Sequence, residues 1–79
     1  MSLSETIKYL VQDGYQIRFE SNSRFLMIII LSNGRVFSCW DIHTSMMDDE
    51  DFLRKTLEYM KEEVDRNDAE YRKEKHNVS

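Results

Sequence analysis

The chain has 79 residues, with 15 Asp and Glu against 11 Lys and Arg, so its formal net charge is −4. A chain of this length makes one domain and buries only about 60–65% of the surface that its unfolded form exposes, so its stability is marginal. The single cysteine, Cys39, excludes an intramolecular disulfide, and no Cys/His spacing typical of a metal site is present. Oligomerisation or partner binding therefore remains as a source of extra stability.

The negative charge is concentrated in the C-terminal half. Residues 1–41 carry four acidic and four basic side chains, whereas residues 48–74 carry eleven acidic and six basic ones. A negative surface repels phosphate groups, so we expect neither direct nucleic-acid binding nor binding to anionic membranes. The N-terminus does not resemble a secretory signal, and the apolar run at 25–31 is far shorter than the ~20 residues that span a bilayer. We therefore expect a soluble protein of the cytoplasm, or of a host cytoplasm if the gene is viral.

The first part of the chain predicts a helix followed by a strand. Ser2 and Glu5 have the spacing of a capping box, and an apolar stripe ends just before Gly14, which predicts a helix over about Ser4–Asp13. Apolar and polar residues then alternate over 15–20, as in a strand with one buried face.

Two more strands complete an antiparallel meander. Residues 24–31 are almost entirely apolar and predict the central strand of the sheet. Asn33-Gly34 is the strongest short signal for a hairpin, because a type I′ turn needs positive φ at both central residues. The third strand is predicted over Arg35–Trp40, with an extension to Ile42 left open.

The lengths of the turns decide which side chains share a face of the sheet. A two-residue turn at Asn33-Gly34 and a three-residue turn at 21–23 predict one core face, made of Tyr15, Ile17, Phe19, Phe25, Met27, Ile29, Leu31, Val36 and Trp40. The other face then carries a second apolar set, Leu26, Ile28, Ile30, Phe37 and Cys39. A first turn of two or four residues would move strand 1 to the opposite face.

A second apolar face is unusual on a small monomer. Three interpretations are open: the two helices cover opposite faces of the sheet, the face pairs with a second copy, or it binds another protein.

A long acidic helix is predicted over Asp48–Glu74, with a buried stripe at Leu53, Leu57, Met60 and Val64. The four carboxylates at 48–51 suit the positive end of the helix dipole, and Thr44, Ser45 or Asp48 is the expected N-cap. Because the stripe stops at Val64, the last three turns are expected to project into solvent or fray. Residues 76–79 are predicted to be a disordered tail after a single domain at 1–75.

No catalytic, metal or cofactor site is predicted. Cys39, Asp41 and His43 alternate along the third strand, but side chains two residues apart on one strand lie ~6.5–7 Å apart. That distance is too long for direct proton transfer within a nucleophile–base pair. The sequence therefore predicts a protein without enzymatic activity.

The order of elements leads to a resemblance. The stretches Ile7–Leu10, Asp13–Ile17 and Leu26–Leu31, with Asn33-Gly34, resemble small proteins encoded by bacteriophages and mobile elements. The resemblance covers about the first 45 residues and rests on pattern and size. Some of these proteins are anti-CRISPR inhibitors, so it implies an inhibitor or host-takeover protein that binds a host protein.

The sequence thus predicts an α+β domain of order αβββα that binds a protein partner. In the leading hypothesis it occludes a basic, nucleic-acid-binding surface with its carboxylates, at Asp48, Asp49, Glu50, Asp51, Glu58, Glu62, Asp65 and Asp68. The alternative is a homodimeric structural or assembly protein. Its copies would pair through the C-terminal helix or through the second sheet face, at Leu26, Ile28, Ile30, Phe37 and Cys39.

Overall fold

The computed structural model describes the backbone of residues 2–32 and 36–77 and the side chains of 2–32 and 36–73. Two helices and three strands follow one another as α1 (Leu3–Gln12), β1 (Tyr15–Ser21), β2 (Phe25–Ser32), β3 (Val36–His43) and α2 (Glu50–Asn77), with a short 3-10 turn (Thr44–Met46) before α2. The predicted αβββα order of an α+β domain is confirmed.

Local signals fix both ends of α1. The Ser2 hydroxyl accepts a hydrogen bond from the Glu5 amide at 3.2 Å, which satisfies one of the orphan donors of the first turn. At the other end Gly14 adopts a φ of +94°, a conformation that favours glycine because it has no Cβ. The helix therefore lies one residue earlier than the predicted Ser4–Asp13 at both ends, and the predicted stop at Gly14 follows it.

The long helix α2 begins two residues later than predicted, and its N-cap is Asp49. The Asp49 carboxylate accepts from the Phe52 amide at 3.0 Å, and its carbonyl accepts from the Leu53 amide at 3.1 Å. The three cap candidates from the sequence, Thr44, Ser45 and Asp48, were therefore wrong. An N-cap accepts from an amide two or three residues ahead, so a helix that starts at Glu50 takes Asp49 as its cap.

The far end of α2 also differs from the prediction. The 28-residue helix is about 42 Å long, close to the 47 Å long dimension of the molecule. Asp68, one turn beyond Val64, is still buried, so the packed part of the helix is longer than the apolar stripe indicated. The helix continues to Asn77 and includes two of the residues predicted as a disordered tail. Val78 and Ser79 lie outside the described residues.

Both helices lie on one face of the sheet, whose strand order is β1-β2-β3. α1 packs on β1 and on α2, while α2 packs on β2 and β3. The core between the two layers consists of Leu10, Ile28, Ile30, Val36, Ile42, Leu57, Met60 and Val64. The interpretation in which the helices cover opposite faces is therefore wrong, and one face of the sheet carries no helix.

The observed register turns β2 over relative to the prediction. Ser32 pairs with Val36, which leaves three residues between β2 and β3 instead of two. Phe19 pairs with Ile28, where the sequence placed it opposite Phe25. Each shift is an odd number of residues, so β1 and β3 keep the same inner side chains while those of β2 change face.

Turn length decides this register, because β2 is apolar on both faces and burial does not distinguish the two orientations of the strand. A hairpin loop of three residues is the next most common class after two, and it also uses a glycine. The predicted turn residues Asn33 and Gly34 themselves lie outside the described residues.

Candidate protein-binding face

The sheet face without helices, called the open face below, is largely apolar. Phe37 is 61% exposed and Phe25 41%, and the thiol of Cys39 also faces solvent. The remaining apolar members are half-buried by their neighbours. The alternation along the three paired strands gives its full composition as Gln16, Arg18, Glu20, Phe25, Met27, Ile29, Leu31, Phe37, Cys39, Asp41 and His43. An exposed apolar surface of this kind on a small protein is typical of an interaction site.

Charged side chains are placed asymmetrically on this face. Residues that are paired across the three strands form rows, called rungs. Arg18 lies on the middle rung, in the same row as Ile29 and Cys39. On the next rung, Glu20 and Asp41 stand on either side of Met27. One cation and two anions therefore border the apolar centre. Within the part of the chain that the structure describes, no ion pair involves any of the three.

A cleft of about 210 Å³ opens at the acidic end of the open face. Its lining combines an apolar floor with two carboxylates and comprises Glu20, Ser21, Asn22, Phe25, Met27 and Asp41. An aliphatic chain that ends in a cation matches such a site, because the stem packs on Met27 while the charge meets the two carboxylates.

Hydrogen bonds hold the wall of this cleft in place. The Asn22 side-chain oxygen accepts from the amides of Arg24 and Phe25, each at 2.8 Å, and the Asn22 amide donates to the Phe25 carbonyl at 3.0 Å. The Phe25 ring then meets the His43 ring edge to face, with 5.5 Å between ring centroids. Since backbone and ring contacts both fix Phe25, the cleft is formed before any partner arrives.

The predicted dimer face is corrected by this geometry. Leu26, Ile28 and Ile30 belong to the helix-covered side, and the last two are 1% and 0% exposed. Of the five predicted residues only Phe37 and Cys39 lie on the open face. The residues that replace them there were not predicted, and they are Phe25, Met27, Ile29 and Leu31. Finding them requires both turns to differ from the prediction, with four residues between the paired Ser21 and Leu26 and three between Ser32 and Val36.

The acidic side chains of α2 are brought partly together. Asp51, Glu58, Glu62 and Asp65 fall within one stripe of the helix, given 3.6 residues per turn. Basic residues interrupt that stripe. Arg54 bonds both Asp51 at 2.8 Å and Glu58 at 3.1 Å, and Lys61 bonds Asp65 at 2.9 Å. The stripe therefore presents less negative charge than its count of acids indicates.

The other predicted acids have separate positions. Asp49 is occupied as the N-cap, and Asp68 is buried and bonded to Arg72 at 3.2 Å. Asp48 and Glu50 are exposed and form no ion pair with a described residue. The structure thus does not gather the eight predicted acids into one surface. The hydrogen bonds from Arg54 and Lys55 lower the pKa of the exposed Asp51 carboxyl, because the neighbouring cations stabilise its negative charge.

A polar contact ties α2 to the edge strand β1. The Tyr15 hydroxyl donates to the Asp65 carboxylate, and the Lys61 ammonium lies 5.6 Å from the centre of the Tyr15 ring. Burial raises the pKa of Asp65, but the hydrogen bonds from Tyr15 and Lys61 outweigh it, so the net shift is downward. Burial and the bond to Asp65 raise the pKa of Tyr15. This contact positions the helix on the sheet.

Chemistry-bearing side chains do not converge elsewhere in the described chain. His43 bonds through Nδ1 to the Ser45 hydroxyl at 2.9 Å, and its ring packs on Phe25. Among residues 2–32 and 36–73, no three His, Cys, Asp or Glu side chains are placed to hold a metal ion. No described helix is both long and apolar enough to cross a membrane.

Comparisons of this chain with protein-family models, with curated proteins and with solved structures found no match.

Proposed function

We propose that this chain is a non-enzymatic protein-binding domain and that the open face of its sheet is the docking surface. The observation that carries the proposal is the exposure of Phe37 and Phe25 on a face that neither helix covers. Exposed aromatic side chains on an apolar surface are frequent anchors of protein interfaces, and Phe37 and Phe25 stand at the two ends of this face. The inhibitory role implied by the resemblance to phage proteins is a special case, in which the docked domain covers a working surface of its target.

The charges favour a protein over a nucleic acid as the partner. Among the described residues of the open face, Arg18 is the one Lys or Arg, against Glu20 and Asp41, and the chain as a whole has a net charge of −4. Nucleic-acid binding depends on several cationic contacts to phosphate, which this face does not supply.

The acidic helix is a second candidate surface. Asp48 and Glu50 are exposed at the start of α2, and Glu62 is exposed further along it. These carboxylates favour contact with a basic surface, which is the electrostatic form of inhibition. Reversing the charges at 48–51 tests this version, because the affinity for the captured protein and its salt dependence should both fall. An unchanged affinity would remove the electrostatic version.

Capture experiments with matched variants test the docking surface. The tagged chain is expressed in the cell that carries its gene, and the captured proteins, an untagged copy of this chain included, are compared with those held by Phe37→Asp and by Tyr9→Asp. Both substitutions replace an exposed aromatic residue, at 61% and 50% exposure, but Tyr9 lies on α1. We expect Phe37→Asp to lose the captured protein and Tyr9→Asp to keep it. Equal capture by both variants would overturn the proposal.

A further inference from the structure

We propose that the occupant of the open face is a second copy of this chain, which places its Arg18 in the cleft between Glu20 and Asp41. The inference rests on the proposed function, since it takes the open face as the docking surface and names its partner. Two observations support it, the charges on the face and their positions on the grid of the sheet, and the area of the face sets the expected strength.

The charges are complementary to those of the same face. The cleft needs a cation with an aliphatic stem, and Arg18 on the neighbouring rung is such a side chain. Within one copy Arg18 forms no ion pair with Glu20 or Asp41. An arginine fits the cleft well, because its planar guanidinium donates to carboxylates on two sides while its methylenes cover Met27.

The positions allow the contact to form twice. Neighbouring strands lie ~4.8 Å apart and same-face residues along a strand ~6.7 Å apart. We place a two-fold axis between the two stacked sheets, where it crosses the middle rung between Ile29 and Cys39. On this grid, the axis carries Arg18 of each copy to the cleft of the other copy. The strands of the two copies then cross steeply, as in orthogonal sheet packing. On this grid the two Glu20 carboxylates lie close to the axis and to each other, and one guanidinium group stands on either side of them, so each carboxylate has an opposite charge beside it.

The size of the face sets the expected strength. Three strands of seven, eight and eight residues give a face of about 14 by 26 Å. This outline, about 360 Å², is less than half of the ~800 Å² that each partner buries in a standard interface, and the steep crossing of the strands leaves only part of it in contact. We therefore expect a weak dimer, with a dissociation constant on the order of 100 μM, held by apolar contact and oriented by the two arginines.

A charge-reversal mixture tests the reciprocal contact. Sedimentation equilibrium is run on the wild type, on Arg18→Glu, on the double variant Glu20→Lys with Asp41→Lys, and on their equimolar mixture. Each variant alone places like charges together, so we expect its dissociation constant to rise at least about tenfold. The mixture restores both contacts and should dimerise like the wild type. Lys8→Glu, the same kind of reversal on α1, should leave the wild-type dimer unchanged.

The single cysteine supplies a second readout. Cys39 lies beside the proposed axis, so the two thiols of a dimer face each other across the interface between the two sheets. A short bismaleimide should crosslink the wild type and the mixture but neither variant alone. Recovery in the mixture also shows that both variants are folded, since a misfolded variant would not regain the contact.

Two results would overturn the inference. One is a wild type that stays monomeric up to about 1 mM, a concentration at which even a weak specific dimer forms. The other is a dimer that withstands both charge reversals, which would place the interface elsewhere. Neither result decides the proposed function, which fails if Phe37→Asp and Tyr9→Asp capture the same proteins equally.

Discussion

Replacing two neighbouring isoleucines of β2 tests the observed register. Ile30 is 0% exposed and faces the helices, whereas Ile29 is half-buried and belongs to the open face. Truncating a fully buried isoleucine to alanine costs about 2–5 kcal/mol, because the contacts of the removed carbons are lost and a cavity remains. At a half-buried site the same change costs roughly 0.5–1.5 kcal/mol, since part of the side chain already meets water.

The difference is large relative to the stability of the whole domain. The free energy of unfolding of a chain of this length is expected to be about 4–12 kcal/mol. Ile30→Ala should therefore lower the urea midpoint by about 2–5 M and Ile29→Ala by no more than about 1.5 M, for a slope near 1 kcal/mol/M. If Ile30→Ala is largely unfolded in buffer, the two valine variants give the same comparison. Ile30→Val should then lower the free energy of unfolding by about 0.5–1.5 kcal/mol and Ile29→Val should leave it almost unchanged.

Urea unfolding is followed by the fluorescence of Trp40, whose ring lies edge-on to Tyr59 with 5.2 Å between centroids. The protein is kept dilute, so that any dimer formed through the open face is dissociated and does not add to the cost at Ile29. A larger loss of stability at Ile29 than at Ile30 would refute the observed register. It would support instead the register predicted from a two-residue turn.

Three further predictions concern the ends of the helices and the contact between α2 and β1. Asp49→Ala should lower the free energy of unfolding by about 1 kcal/mol because the N-cap bond is lost; Asp48→Ala is the control, and equal losses in urea unfolding would contradict the assignment of the cap. Gly14→Ala should cost about 1 kcal/mol through the positive φ alone, because no heavy atom lies within 4 Å of the added Cβ; unchanged thermal unfolding would contradict that cause. Asp65 has a pKa below its unfolded value, so the stability it contributes is present above about pH 4 and is lost as the pH falls through the folded pKa. Unfolding curves measured from pH 6 to pH 2 should therefore depend less on pH in Asp65→Asn than in the wild type, and parallel curves would rule out this contribution.

Much of the fold follows from local patterns in the sequence. The cap at Ser2, the stop at Gly14 and the alternation after Tyr15 each specify a boundary through a single physical requirement. The buried stripe of α2 was also predictable, because its apolar spacing of three and four residues has one structural meaning. Tyr59 meets the edge of the sheet at Trp40, as expected for a helix packed across β3.

The open face could not be assigned from the sequence, because β2 gives no signal about which of its faces is inside. Every residue from Phe25 to Leu31 is apolar, so turning the strand over exchanges one apolar set for another. The register therefore depends on the lengths of both turns, and Asn33-Gly34 suits loops of two and of three residues. The cleft was missed for the same reason, since Glu20 and Asp41 flank Met27 in only one of the two registers.

The central position of β2 has a consequence for the unfolded chain. Both backbone edges of this strand are hydrogen-bonded in the native sheet, so no other molecule can pair with it there. Once the domain opens, an uncharged stretch of seven apolar residues without proline is released, and such stretches stack readily into intermolecular sheets. After heating, refolding therefore competes with aggregation, and the fraction of native protein recovered falls as the protein concentration rises. The residues that organise the native sheet are also the ones that make its loss irreversible.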